Sequence, residues 1–261
     1  MISTAGMKRA YLVMALVPGL PTALGGQQSL VQAMATVTTG TVHLSFAARP
    51  GVCGNGLNNI STRQESAEWE AECEDQPVRV ALQLENHAVI GIRTYVGGQW
   101  RVGSATRDLG TVRAKDAAAY LLQLAAAPRR LNGDPVLPAT LADSVTIWPS
   151  LVQLARNSRL PEDRRRTAIF WLGQAAGVAA VGALDSVVAS HDTSRELRKQ
   201  AVFALSQRPV NEGVPALIRI ARTHRDPELR KTALFWLGQS EDPRALDLFE
   251  EILQSGPSGP S

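Results

Sequence analysis

Arg165-Arg166-Thr167-Ala168-Ile169-Phe170-Trp171-Leu172-Gly173-Gln174 decides the fold, because the chain writes this stretch three times. It returns without gaps as Arg198-Lys199-Gln200-Ala201-Val202-Phe203-Ala204-Leu205-Ser206-Gln207, and again as Arg230-Lys231-Thr232-Ala233-Leu234-Phe235-Trp236-Leu237-Gly238-Gln239. The alanines at 168, 201 and 233 lie 33 and 32 positions apart. A second segment keeps the same interval. Pro149-Ser150-Leu151-Val152 recurs 66 positions on as Pro215-Ala216-Leu217-Ile218, and Gly182-Ala183-Leu184 lies midway. Its last copy, Ala245 to Leu253, arrives about three positions early. Two helices per period in the low thirties make an α-solenoid. One hairpin cannot cover its own apolar face, whereas stacked hairpins cover one another. The boundaries agree. Asp226-Pro227 and Asp242-Pro243 set a capping carboxylate before a proline at the first helical position. Thr193 or Ser194 fills the capping place in the middle copy.

The pattern aliphatic-Arg-x-x-Ala-x-x-x-Leu-Gly reads here as Leu229-Arg230 with Ala233, Leu237 and Gly238, and as Leu197-Arg198 with Ala201, Leu205 and Ser206. These residues resemble HEAT repeats, and within them the short phycobilisome-lyase-type repeats, over about residues 113–254. The first copy departs, with Arg164 where the aliphatic residue belongs. That departure implies either a less buried helix start or packing against something other than a repeat. The resemblance implies a HEAT-type solenoid of three to four hairpins that serves as a scaffold for another protein. Its lyase branch implies a second class, a ligand-handling enzyme.

Residues 41–100 carry a different period. Val42, Leu44 and Phe46 alternate with polar neighbours, as do Val78, Val80, Leu82 and Leu84, and then Ile90 and Ile92. Alternation of this kind gives a sheet with one buried and one solvated face. Residues 26–112 therefore read as a small antiparallel β domain, making the whole chain α+β and mainly α. Glu85-Asn86-His87 suits a hairpin and Gly97-Gly98 a second turn. Ser66 to Cys73 reads as a further strand, Ser29 to Thr39 as a loose lead-in, and Gly51 to Arg63 as a loop. Asp116 to Ala127 reads as a helix stopped by Pro128, and Pro135 to Ser144 as a weaker helical segment. The last residues, 255–261, read as a disordered tail.

The first 25 residues look like a secretory leader: Lys8 and Arg9, an apolar run from Ala10 to Val17, then Ala23-Leu24-Gly25 as a cleavage pattern. Met7 is an alternative start. The expected address is periplasmic or secreted, with no membrane span once the leader is removed. In that setting Cys53 and Cys73, the only two cysteines, read as one disulfide. Without Lys8 and Arg9, 25 basic residues face 24 acidic ones, so the formal charge of +3 drops to +1. A nearly neutral chain lacks the charge surplus that drives nucleic-acid binding.

Enzyme motifs are absent: there is no G-x-S-x-G, no H-E-x-x-H and no Walker loop. The sequence therefore points to no catalytic residue, no cofactor and no metal. Gly54-Asn55-Gly56 reads as turn chemistry. His191 and His224 recur 33 positions apart and are expected to neighbour each other across repeats. Arg165, Arg198 and Arg230 fall at the edge of the core face and read as structural guanidinium forks. At about 100° per residue, Phe235 lies roughly 160° from core Leu237. Phe170 and Phe203 share that register. Arg166, Lys199 and Lys231 flank the rings on one side and Gln174, Gln207 and Gln239 on the other. This ladder is the candidate partner-binding site. Two readings stay open: rings filling the seam between neighbouring helices, or an exposed stripe.

Overall fold

In the computed structural model the described residues are 26–56, 60–62, 76–175 and 178–254. The expected leader, the strand expected at 66–73 and the tail at 255–261 lie outside them. The chain opens with a helix, α1 (Gly26–Ala35), where a loose lead-in was expected. Leu30 and Met34, one turn apart, are buried in the core that the sheet shares with α2, so packing decides a segment that composition leaves open. Strands follow at β1 (Gly40–Phe46), β2 (Val52–Gly54), β3 (Ile60–Thr62), β4 (Val78–Glu85), β5 (Ala88–Val96) and β6 (Arg107–Thr111). The main sheet runs β5-β4-β1-β6, and β2 and β3 pair separately.

The expectation of a purely antiparallel sheet is corrected by β6, which pairs parallel to β1. The reason is a crossover. Beyond β5 the chain turns at Gly97 and Gly98 and crosses one sheet face before entering beside β1. Parallel neighbours need such a connection. Trp100, on this crossing, stacks on His43 of β1 with centroids 3.7 Å apart and planes 14° apart. It meets Tyr95 of β5 edge-on at 5.9 Å. The face expected to be solvated is thus partly roofed, and His43 and Ser45 are buried.

The hairpin at 85–88 is as expected. Asn86 and His87 adopt φ of 49° and 62°, a two-residue turn whose twist matches the strands. A register shift opposite Gln83 and Leu84 breaks the simple alternation in β5. As a result Val89 and Ile92 are buried while Ile90 is only half-buried. Gly54-Asn55-Gly56 is turn chemistry. The Gly56 amide donates to Val96 at 2.8 Å, and a Cβ on Gly56 would stand 2.8 Å from the Gly98 backbone.

Helices fill the rest: α2 (Ala114–Ala126), α3 (Val136–Thr140), α4 (Trp148–Arg156), α5 (Glu162–Gln174), α6 (Val178–Val188), α7 (Arg195–Ser206), α8 (Val210–Thr223), α9 (Pro227–Gly238) and α10 (Pro243–Gln254). α5, α7 and α9 stack side by side in one layer, and α4, α6, α8 and α10 in the other. That is three hairpins led by α4. Ala168, Ala201 and Ala233 are fully buried, as are Leu172, Leu205 and Leu237, and in the second layer Leu151, Leu184 and Leu217. Asp226 caps α9 through the Glu228 amide at 3.0 Å, and Ser194, not Thr193, caps α7.

α2, which begins just beyond the boundary expected between residues 112 and 113, serves both cores. Its Ala117, Ala118 and Leu121 lie in the sheet's core and its Ala125 in the helical one. Arg164 joins the two parts. It donates to Ala125 O at 3.3 Å, to Ala127 O at 2.5 Å and to Arg129 O, capping the end of α2. The departure at position 164 therefore means packing against a helix that is not a repeat.

Burial lowers the His43 pKa below the usual imidazole value, against Asp108 and with help from Arg93. The fold holds the neutral ring, so the unfolded chain binds the extra proton below about pH 6.5. This contribution to stability is intact above that value and is lost as pH falls beneath it. Thermal melts at about pH 7.5 and about pH 5.5 should show a larger drop for the wild type than for His43→Phe, which keeps a ring under Trp100 but cannot titrate. Equal drops would show that His43 is not the titrating group.

Candidate functional site

The phenylalanine ladder stands on the layer formed by α5, α7 and α9, and its three rungs differ. Phe203 is half-buried and packs on Trp236 of the next repeat, with centroids 4.9 Å apart. The residue aligned with Trp236 one repeat earlier is Ala204, which cannot cover Phe170 in the same way. Phe170 is 48% exposed and Phe235, on the last described repeat, 59%. Each meets the tryptophan beside it edge-on, Phe170 on Trp171 at 5.1 Å and Phe235 on Trp236 at 5.0 Å. The seam reading thus describes the middle ring, and the stripe reading describes the outer two.

Small residues explain the difference. A Cβ placed on Gly173 would lie 3.1 Å from Ala204 Cβ, so α5 and α7 approach closely where both residues are small. Between α7 and α9 the aligned pair is Ser206 and Trp236, and the indole fills that seam.

The polar flank lies as its spacing implies. Gln174, Gln207 and Gln239 are exposed. Arg166, Lys199 and Lys231 form within-helix ion pairs with Glu162, Glu196 and Glu228 at 3.1, 3.5 and 3.0 Å. Exposed pairs of this type contribute little to stability, which leaves the cations easily drawn to another partner.

The recurrent arginines act as joints. Buried Arg165 donates through Nε to Ala155 O at 2.9 Å and through Nη2 to Thr193 Oγ1 at 3.4 Å. One repeat on, Arg198 pairs at 3.6 Å with Asp226, the N-cap of the following helix α9. Arg230 donates to His224 O at 2.8 Å. Arg208, which the sequence reading passed over, is buried and caps α5 by donating to Gly173 O at 3.1 Å and to Ala175 O. Its signal was an arginine at a helix turn, a place where basic side chains satisfy helix-end carbonyls.

His191 and His224 come together as expected. They line one cleft of about 550 Å³ at the ends of α6 and α8. Among the described residues no group of three or more His, Cys, Asp or Glu is placed to hold a metal, and no helix is long and apolar enough to cross a membrane. Cys53 lies half-buried on β2, and Cys73 is outside the described residues.

With this geometry in place, the sequence match can be set beside it. The HEAT-repeat family model matches residues 186–260, a stretch that takes in the last three residues of α6 and all of α7 to α10. The layers continue the same way through α5 and α4, ahead of the matched stretch. No curated protein and no solved structure matches the chain.

Trp236→Ala should cost roughly 2–3 kcal/mol, below the roughly 3–5 of a fully buried ring, because it uncovers Phe203. Phe170→Ala should cost under about 1 kcal/mol. Urea melts of both variants check the order. A Phe170 variant as destabilised as the Trp236 variant would return this ring to the seam reading.

Proposed function

We propose that the chain is an exported, non-enzymatic scaffold that holds another protein on its HEAT repeats. The observation that carries this reading is the pair of uncovered rings, Phe170 and Phe235, on one helical layer. A large apolar ring kept in water beside adaptable polar side chains is what recognition surfaces use as an anchor. Gln174, Gln239, Arg166 and Lys231 supply the polar rim. HEAT repeats commonly mediate protein–protein interaction, which agrees with this use.

Export rests on the basic pair Lys8 and Arg9, the apolar run and the Ala23-Leu24-Gly25 pattern. In an oxidising compartment Cys53 and Cys73 would close a bridge of 20 positions, worth roughly 3 kcal/mol. The near-neutral charge balance speaks for a protein and against a nucleic acid as partner.

A tagged full-length chain should appear in the envelope fraction, shortened by about the leader and without reactive thiol. Recovery only in the cytoplasm, at full length, would refute export. Immobilised wild type should capture a protein from envelope extract, and Phe170→Ser with Phe235→Ser should lose it with an unchanged melt. Retention of the partner by the double variant would place recognition elsewhere.

A further inference from the structure

At the cleft where α6 and α8 end, one joint is left unmade. In the first joint, Arg165 Nε donates to Ala155 O at 2.9 Å. The corresponding atoms 33 positions on are Arg198 Nε and Val188 O. That bond does not form: Arg198 Nε is buried with no partner, and Arg198 and Val188 line a cleft of about 550 Å³ instead. A buried N–H without an acceptor is destabilising, so an incoming oxygen there relieves a standing penalty.

The rest of the lining fixes the sign and the size of the guest. Asp185 is taken up by Arg219 at 2.7 Å. Asp226 is taken up by the Glu228 amide at 3.0 Å and by Arg195 at 3.0 Å, besides Arg198. Both carboxylates are thereby spent. Arg225, exposed at the rim, makes no side-chain ion pair or hydrogen bond among the described residues. His224 Nδ1 accepts from the Asp226 amide at 3.0 Å, which leaves its Nε2–H to donate, and exposed His191 stands at the same mouth. Donors are in surplus. The floor is apolar, with Val188 at 1% exposure and Ile220 at 3%. A space this large with an aliphatic floor suits more than a bare inorganic anion.

We propose that this cleft binds an acidic peptide segment of a partner protein, with Arg198 and Arg225 taking a carboxylate and Val188 and Ile220 taking a neighbouring aliphatic side chain. The proposal rests on the scaffold reading and gives its partner a chemistry. It concerns the helix ends of the α6–α8 layer, away from the exposed phenylalanines of α5 and α9.

The test is fluorescence anisotropy on the full chain, with a fluorescein-labelled peptide of alternating leucine and glutamate as probe. Saturable binding is expected. Replacing glutamate by glutamine, or making Arg225→Ala, should each weaken it about tenfold, the scale of one charge-assisted hydrogen bond. His191→Ala should weaken it less, and the melts of both variants should match the wild type, since neither side chain is engaged in the fold. Equal binding of the glutamine peptide, indifference to Arg225→Ala, or binding of inorganic phosphate without binding of the peptide would overturn the proposal. Because the envelope capture reads Phe170 and Phe235 while this titration reads Arg225 and His191, each reading can fail without the other.

Discussion

A helix pair in residues 148–254 carries more apolar surface than it can hide, and every other feature of this half of the chain follows from that shortage. Burying one leucine contributes about 1.5–3 kcal/mol, and the fully buried ones here are spread over both layers at each step: Leu151, Leu184 and Leu217 in one, Leu172, Leu205 and Leu237 in the other. Each is covered by a neighbouring pair as well as by its own. The alanines at 168, 201 and 233 are fully buried in the same core. An array of this kind has no single centre, and its stability passes from neighbour to neighbour.

Such an array must also be joined at its ends. Arg165 ties the end of α4 to the turn before α7, Arg208 ties the start of α8 to the end of α5, and Arg164 ties α5 to the end of α2. All three satisfy carbonyls that helix geometry leaves without partners. The flat guanidinium can serve two acceptors at once, which a lysine cannot do as well. Through Arg164, through α2 against α4 and through α3 against α5, the array's first helices meet helices that belong to no repeat. Ala125 of α2 and Val136 of α3 enter the helical core and cover that flank.

Periodicity made most of this legible. The three aligned segments announce the hairpins, and the capping residues announce their starts. Alternation announces β1 and β4, and Asn86-His87 announces their hairpin neighbour β5. What stayed hidden depends on contacts between distant residues. α1 is helical because the core beneath α2 takes up Leu30 and Met34, and nothing local in its sequence states that need. β6 has no apolar alternation, and its direction is set by the crossing that carries Trp100. At the site, the helical wheel placed all three phenylalanines on the outer face. The wheel could not show that Trp236 covers one of them and that Ala204 leaves another bare, since that depends on the residue one repeat away.

This last point reaches beyond the phenylalanines. In a repeat array the fold asks the same thing of every copy, so a position that breaks the copied contact carries information that a satisfied position does not. The middle hairpin breaks two. Ala204 stands where both neighbours have tryptophan, and Phe170 is left in water. Arg198 fails to reach the carbonyl that its predecessor reaches, and a cleft opens with a buried donor in its wall. Either change alone lowers the stability of the stack, one through exposed apolar area and the other through an unmet hydrogen bond. Each closed arrangement occurs once in the same array, the arginine joint at Arg165 and the covered ring at Phe203 under Trp236. A scaffold that needs only to stand would close both. Keeping them open makes physical sense where an outside surface supplies the missing cover and the missing oxygen.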